Sequence, residues 1–165
     1  MGKEIDLLRD YPKSKRDITK RLVEKDEKIR TIARRFGKEF FDGDRKYGYG
    51  GFNYNPKYWQ PVIPTLKENY SLNRNSKILD IGCAKGFLLV DLIKEIPGIS
   101  VTGIDISQYA INNCHPDISQ SVSVGDARFL PYEDSSFDLV LSINTLHNLE
   151  INELSKALKE IERVS

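Results

Sequence analysis

Ile78-Leu79-Asp80-Ile81-Gly82-Cys83-Ala84-Lys85-Gly86-Phe87 is the stretch on which the fold turns. A short apolar strand, Lys77 to Ile81, runs into a loop of small residues at 82, 84 and 86. A helix from Gly86 to Ile96 follows, stopped by Pro97-Gly98. Small side chains let a ligand lie against bare backbone, and the helix start offers unpaired N–H groups. Beyond this stretch the same grammar repeats. Ile99 to Asp105 reads as a second strand, and Ser107 as the N-cap of a helix through Asn113. Ser121 to Val124 reads as a third strand, Phe137 to Ile143 as a fourth, and Asn152 to Val164 as a closing helix. Strands alternating with helices imply βαβ units and a doubly wound, mostly parallel α/β sheet.

Toward the N-terminus the pattern is different. Apolar residues at Ile18, Leu22, Val23, Ile29, Ile32, Ala33 and Phe36 predict an amphipathic helix over Asp17 to Phe36, with Gly37 placed to end it. Glycines and aromatics then alternate from Asp42 to Pro56 without helix or strand periodicity, which predicts a structured loop. Pro56 to Tyr70 has helical spacing, but Pro61 and Pro64 are expected to break or kink it. The chain therefore divides into a helical extension with its aromatic-glycine loop, residues 1–70, and an α/β domain, residues 71–165.

The bulk properties narrow the class. The 165 residues suit one domain of ordinary size, and the 39% hydrophobic content is enough for a core. No run of about 18 apolar residues marks a membrane span. Cys83 and Cys114 fit neither a zinc pattern nor a disulfide framework, so no metal is expected and a reducing cytoplasm is the expected setting. Net charge is +1, but residues 1–40 carry +5 and the remainder −4. Such an arm is able to touch nucleic acid. Its acids and bases alternate, however, and no basic-aromatic stacking platform accompanies them, so a solvated helix face is the favoured reading.

The loop itself indicates the ligand. A dinucleotide fingerprint needs a third glycine at position 87, where this chain has Phe87. The observed pattern is G-x-A-x-G after Asp80. A second acid, Asp105, ends the next strand in Gly103-Ile104-Asp105-Ile106-Ser107, 25 residues on. A carboxylate there can accept both hydroxyls of a ribose. A third acid opens Val124-Gly125-Asp126-Ala127-Arg128-Phe129-Leu130-Pro131, which continues to Phe137-Asp138-Leu139-Val140. Together these resemble the ordered motifs of class I S-adenosylmethionine-dependent methyltransferases, in particular the ubiquinone-biosynthesis-type subgroup, over roughly residues 75–164. Ala84 departs from the pattern by replacing the middle glycine.

The resemblance implies a Rossmann-like sheet and S-adenosylmethionine as cofactor. It implies that Gly82, Ala84 and Gly86 line the methionine part, that Asp80 faces its amino group, and that Asp105 takes the ribose. It also implies that Ile106 packs on the adenine and that Asp126 with the Ala127 backbone holds the adenine edge. For each acid a helix cap or a surface charge is the alternative. Asn144-Thr145-Leu146-His147-Asn148 follows the fourth strand, where the methyl group should point. Asn144 is assigned there to the cofactor side, and His147 either to general-base duty or to packing under the loop with a backbone partner. His115 reads as a loop residue.

Tyr47 and Tyr49 belong to a loop that is either a lid over cofactor and acceptor or an aromatic plug for the end of the sheet. The expected activity is methyl transfer to a small molecule, against the alternative of a non-catalytic binding module. A family member of this type has seven strands, and this sequence reaches only the region of the fourth. The expectations are therefore a fragment, or a short form whose copies associate through the fourth strand's open edge.

Overall fold

A computed structural model of the chain describes residues 4–13, 27–49 and 52–165. Among these, four parallel strands form one sheet: β1 (Lys77–Ile81), β2 (Ser100–Asp105), β3 (Val122–Val124) and β4 (Leu139–Leu141), in the order β3-β2-β1-β4. Asp80 of β1 lies opposite Gly103 on one side and Leu141 on the other. The chain steps outward from β1 to β3, then returns to the far side of β1. That reversal opens a crevice beyond the carboxyl ends of β1 and β4, the place where sheets of this kind bind ligands.

The described helices are α1 (Glu27–Ala33), α2 (Lys38–Asp42), α3 (Ile63–Tyr70), α4 (Phe87–Glu95), α5 (Gln108–Asn112) and α6 (Ile151–Val164). Alternation along β1 divides the core. Ile78 joins Ile63, Leu66, Leu88, Leu92 and Leu139, so α3 and α4 cover one face. Leu79 and Ile81 join Ile104, Leu130 and Val164, so α6 covers the other. Residues 78 to 81 are all buried, as a central parallel strand requires. Each fully buried leucine or isoleucine contributes about 1.5–3 kcal/mol by leaving water. This is the doubly wound α/β fold that the sequence predicts.

Local signals account for most boundaries. Ser107 Oγ accepts the Ala110 amide at 3.0 Å and caps α5. Glu150 and Glu153 form a reciprocal capping box at the start of α6. Three expectations need correction. The N-terminal helix, where described, covers only Glu27–Ala33; residues 17–26 of the expected span lie outside the described residues. Phe36, not Gly37, takes the left-handed turn, at φ 47°. Its ring packs edge-on against Phe40 at 5.2 Å, and its carbonyl accepts the Ser107 hydroxyl at 2.5 Å. Pro61 and Pro64 do not kink a helix. They sit in the first turns of the 3-10 segment Gln60–Val62 and of α3, where no intrahelical N–H bond is lost.

The fourth strand is shorter than Phe137 to Ile143. Phe137 N–H donates to the Val164 carbonyl, and Ser135 N–H to that of Arg163. Residues 135 and 137 are thus tied to α6, while Asp138 N–H donates to the Lys77 carbonyl of β1 at 2.9 Å and its carboxylate accepts the Lys77 amide at 2.7 Å.

Candidate functional site

The crevice is a cavity of about 940 Å³, at the upper end of the range for small-ligand sites. Its floor is the carboxyl ends of the strands; its roof is the segment from Ala33 to Trp59. The loop after β1 is drawn tight by its own backbone. Gly82 and Cys83 N–H both donate to the Ile104 carbonyl, at 2.8 and 3.0 Å. Gly82 has φ 78°, and a Cβ there would lie 2.7 Å from Thr145 Cβ, so only glycine fits.

Ala84 also adopts a positive φ, 53°, held by its N–H bond to Asp105 Oδ2 at 2.8 Å. An alanine in that region carries a strain of about 1–2 kcal/mol. Ala84→Gly is therefore expected to stabilise the protein by about 1 kcal/mol, after the added freedom of the unfolded chain is subtracted. A urea titration measures it, and a loss of stability would show that the turn is unstrained. Gly86 is placed differently from its neighbours. It does not line the cavity, and a Cβ on it would meet Ile118 Cδ1 at 2.5 Å. At φ 75° its part is to start α4 over Ile118.

Two of the three acids, Asp105 and Asp126, line the floor; Asp80 does not line the cavity. Asp80 is buried, 5% exposed, beneath the loop. Burial first, and then the neighbouring Asp105 carboxylate, push its carboxyl up to about 7; no hydrogen bond offsets them. Asp105 is braced: its two oxygens accept the Ala84 and Ser107 amides at 2.8 Å each. Burial still raises its carboxyl, against those bonds. Asp126 accepts Arg128 Nε at 2.9 Å and Nη2 at 2.6 Å, which hold its carboxyl below the usual range. Arg128 in turn reaches Glu153 of α6.

Ile106 is 55% exposed and lines the cavity, an apolar side chain open to a flat ring; Ala127 lines it nearby. Asn144, at φ 56°, and His147, in the 3-10 turn Leu146–Asn148, also line it. His147 is exposed there and makes no hydrogen bond among the described residues, so it does not pack under the loop. His115 is a loop residue, its Nδ1 accepting the Asp117 amide at 3.2 Å.

Tyr47 and Tyr49 line the roof. Tyr49 stands 5.2 Å from Phe41, and its phenol is pushed up by burial, then by Tyr11, Asp80 and Asp105. The structure adds a residue that motif reasoning passes over. Lys85 is 5% exposed, and its ammonium donates to Asp42 at 2.5 Å and to the Phe52 carbonyl at 3.0 Å. One side chain of the glycine loop thus ties both ends of the segment that carries Tyr47 and Tyr49. A charged residue inside the apolar run from Ile78 to Val90 was the signal available for it. Farther along, the Tyr54 hydroxyl donates to Asp91 Oδ1 at 2.5 Å; burial and this bond push the Tyr54 phenol up to about 12. Among the described residues no cluster of His, Cys, Asp or Glu is arranged to hold a metal ion.

A parallel sheet with a glycine loop after its first strand and acids near its strand ends defines the class of open α/β folds whose ligand crevice lies beyond the carboxyl ends of the strands. The methyltransferase domain family matches residues 78–165, and the chain belongs to that family. It is 38% identical over 87 residues to mouse arginine-hydroxylase NDUFAF5, mitochondrial, covering 52% of this chain and 24% of that protein. It is 36% identical over 96 residues to norajmaline N-methyltransferase of Rauvolfia serpentina, covering 53% and 32%. The chain spans about a quarter of the length of the mouse, rat and human arginine-hydroxylases it matches. A methyltransferase structure from Aquifex aeolicus, described as dependent on S-adenosylmethionine, shares the fold at TM-score 0.52 and 22% identity, covering 92% of this chain and 68% of that one.

Proposed function

We propose that the chain binds S-adenosylmethionine in this crevice and directs its methyl group to a small-molecule acceptor beneath the aromatic roof. Asp80 carries the reading. A buried carboxyl that accepts no hydrogen bond among the described residues is costly unless a cationic ligand group completes it. The amino group of the cofactor's methionine part supplies that charge. Gly82 and Ala84 leave backbone bare beside it, Asp105 has lone pairs left for a ribose, and Ile106 offers a face for adenine. Asp126 with the Ala127 backbone, beside Asn144, completes the adenine side.

The cofactor brings a methyl group on a sulfonium, already activated, so the chain's own task is alignment. An acceptor oxygen or nitrogen that bonds to carbon must also lose a proton, and His147 stands at the cavity rim to take it. Calorimetric titration tests the reading. S-adenosylmethionine is expected to bind and NAD not to; the reverse result overturns it.

The titration has a pH signature. Asp80 binds a proton more tightly in the fold than in the unfolded chain, so the empty protein is expected to lose stability as pH rises from about 4 to about 7. A cationic ligand favours the carboxylate. Affinity is then expected to rise over the same window, with a proton released on binding near pH 6. Titrations in buffers of different ionisation enthalpy count that proton, and a pH-independent affinity would separate Asp80 from the ligand.

A second reading keeps the cofactor and changes the reaction or removes it, and the name of the mouse relative favours it. Release of S-adenosylhomocysteine in the presence of acceptors separates the two. The reading also includes contact between copies along the outer edge of β4, which no described strand pairs. Light scattering at several concentrations tests it, and a monomer throughout refutes it.

A further inference from the structure

The cavity is segregated by charge. On the floor stand Asp105 and Asp126, with Asp80 buried behind them. The roof is of the opposite kind. Of the sixteen described residues from Tyr11 to Trp59 that line the cavity, ten are aromatic, two are arginines and none is acidic.

The arginines are Arg34 and Arg45. Among the described residues the Arg34 side chain pairs with Glu27, at 3.4 Å, in a contact where both side chains are at least 70% exposed. Such a pair is worth little and yields readily to a better anion. Arg45 makes no ion pair among the described residues; the adjacent Asp44 turns to Lys46, at 3.6 Å. Arg128 is the remaining arginine on the wall, and it is committed to Asp126 and Glu153.

Resting on the cofactor reading above, we infer that the acceptor site is the roof side of this cavity, and that it takes a flat aromatic molecule bearing an anionic group. Planar rings fit against Phe40 and Tyr49, which stack with centroids 6.3 Å apart, and against Tyr47 on the same roof. Arg34 and Arg45 supply planar donor forks for a carboxylate or phosphate. The acid floor repels that same group, so charge alone orients the acceptor with its anion outward and its ring inward. A cationic cofactor on the floor and an anionic acceptor under the roof then attract across the cavity.

The test uses three indoles that differ in charge: indole-3-acetate, indole-3-acetamide and tryptamine. Each is titrated into the full chain already saturated with S-adenosylhomocysteine. Saturation is measured first, so a failure of cofactor binding appears there and is told apart from a failure of the acceptor site. The acetate is expected to bind at least about tenfold tighter than the amide, the scale of one charged hydrogen bond, and tryptamine weakest.

Arg45→Gln and Arg34→Gln are surface changes. Each is expected to reduce acetate affinity several-fold while leaving the amide and S-adenosylhomocysteine unchanged. Equal binding of the three indoles, tighter binding of tryptamine, no binding of the acetate to the saturated protein, or indifference to both arginine variants would each overturn the inference.

Discussion

Lys85→Met is expected to lower the free energy of unfolding by about 3 kcal/mol, the lower end of the range for removing one partner of a buried ion pair. Methionine fills the same space but leaves Asp42 with only the Tyr109 hydroxyl, at 2.7 Å, and the Phe52 carbonyl without its ammonium donor. The lower end applies because the Asp42 side chain is 24% exposed and water can reach it. Burial alone would raise the Asp42 carboxyl; the bonds from Lys85 and Tyr109 more than offset this, and the net shift is downward. A carboxyl lowered by folding stabilises above the ordinary carboxylate range and ceases to do so as acid is added. The gap between wild type and variant should therefore be full at neutral pH and close in acid. Urea titrations at pH 7 and pH 3 measure both. A difference below about 0.5 kcal/mol at pH 7, the level of an exposed pair, would show that the ammonium holds nothing together.

Asp105→Ala is expected to weaken S-adenosylmethionine binding by about 10- to 100-fold, from the loss of charged hydrogen bonds to the ribose. It should also cost stability, because two amides then lose their acceptor inside the fold. At about 1–3 kcal/mol for a buried donor left unmade, the two together give about 2–6 kcal/mol. Asp105→Asn keeps the shape and one carbonyl oxygen, so it should lose less stability than the alanine variant while still losing affinity. Thermal unfolding and calorimetry on the same samples separate the effects. An Asp105→Ala protein that binds as tightly as wild type would remove this residue from the site.

The parts of the fold that depend on near neighbours were readable in the sequence. The run from Lys77 to Phe87 is a strand, a loop and a helix because apolar residues, small residues and apolar residues follow in that order. Ser107 caps its helix through a bond three residues away. Asp105 could be placed at the floor because it ends a strand, and Asp126 because it follows one, since parallel strands end on one side of the sheet; Asp80, one residue short of its strand's end, is buried off the cavity instead.

What escaped reading depends on partners distant in the chain. Lys85 meets Asp42 across 43 positions; its charge inside an apolar run marks it, but nothing local marks its partner. Phe36 rather than Gly37 takes the left-handed turn because Ser107, 71 residues on, draws its carbonyl away. Gly86 matched the motif but is required by Ile118 beneath it. Arg128, two residues from Asp126, was within reach, since a basic residue at that spacing in a tight turn can fold back on the acid.

On the proposed reading, cofactor and acceptor share one chamber whose roof Lys85 staples to its floor. Traffic through it is then expected to follow a compulsory sequence. The ligand deepest in the crevice must enter before the roof side fills and must depart after it empties. Steady-state inhibition by S-adenosylhomocysteine should accordingly be competitive with the cofactor and noncompetitive with the acceptor, the pattern of an ordered queue and not of two independent doors.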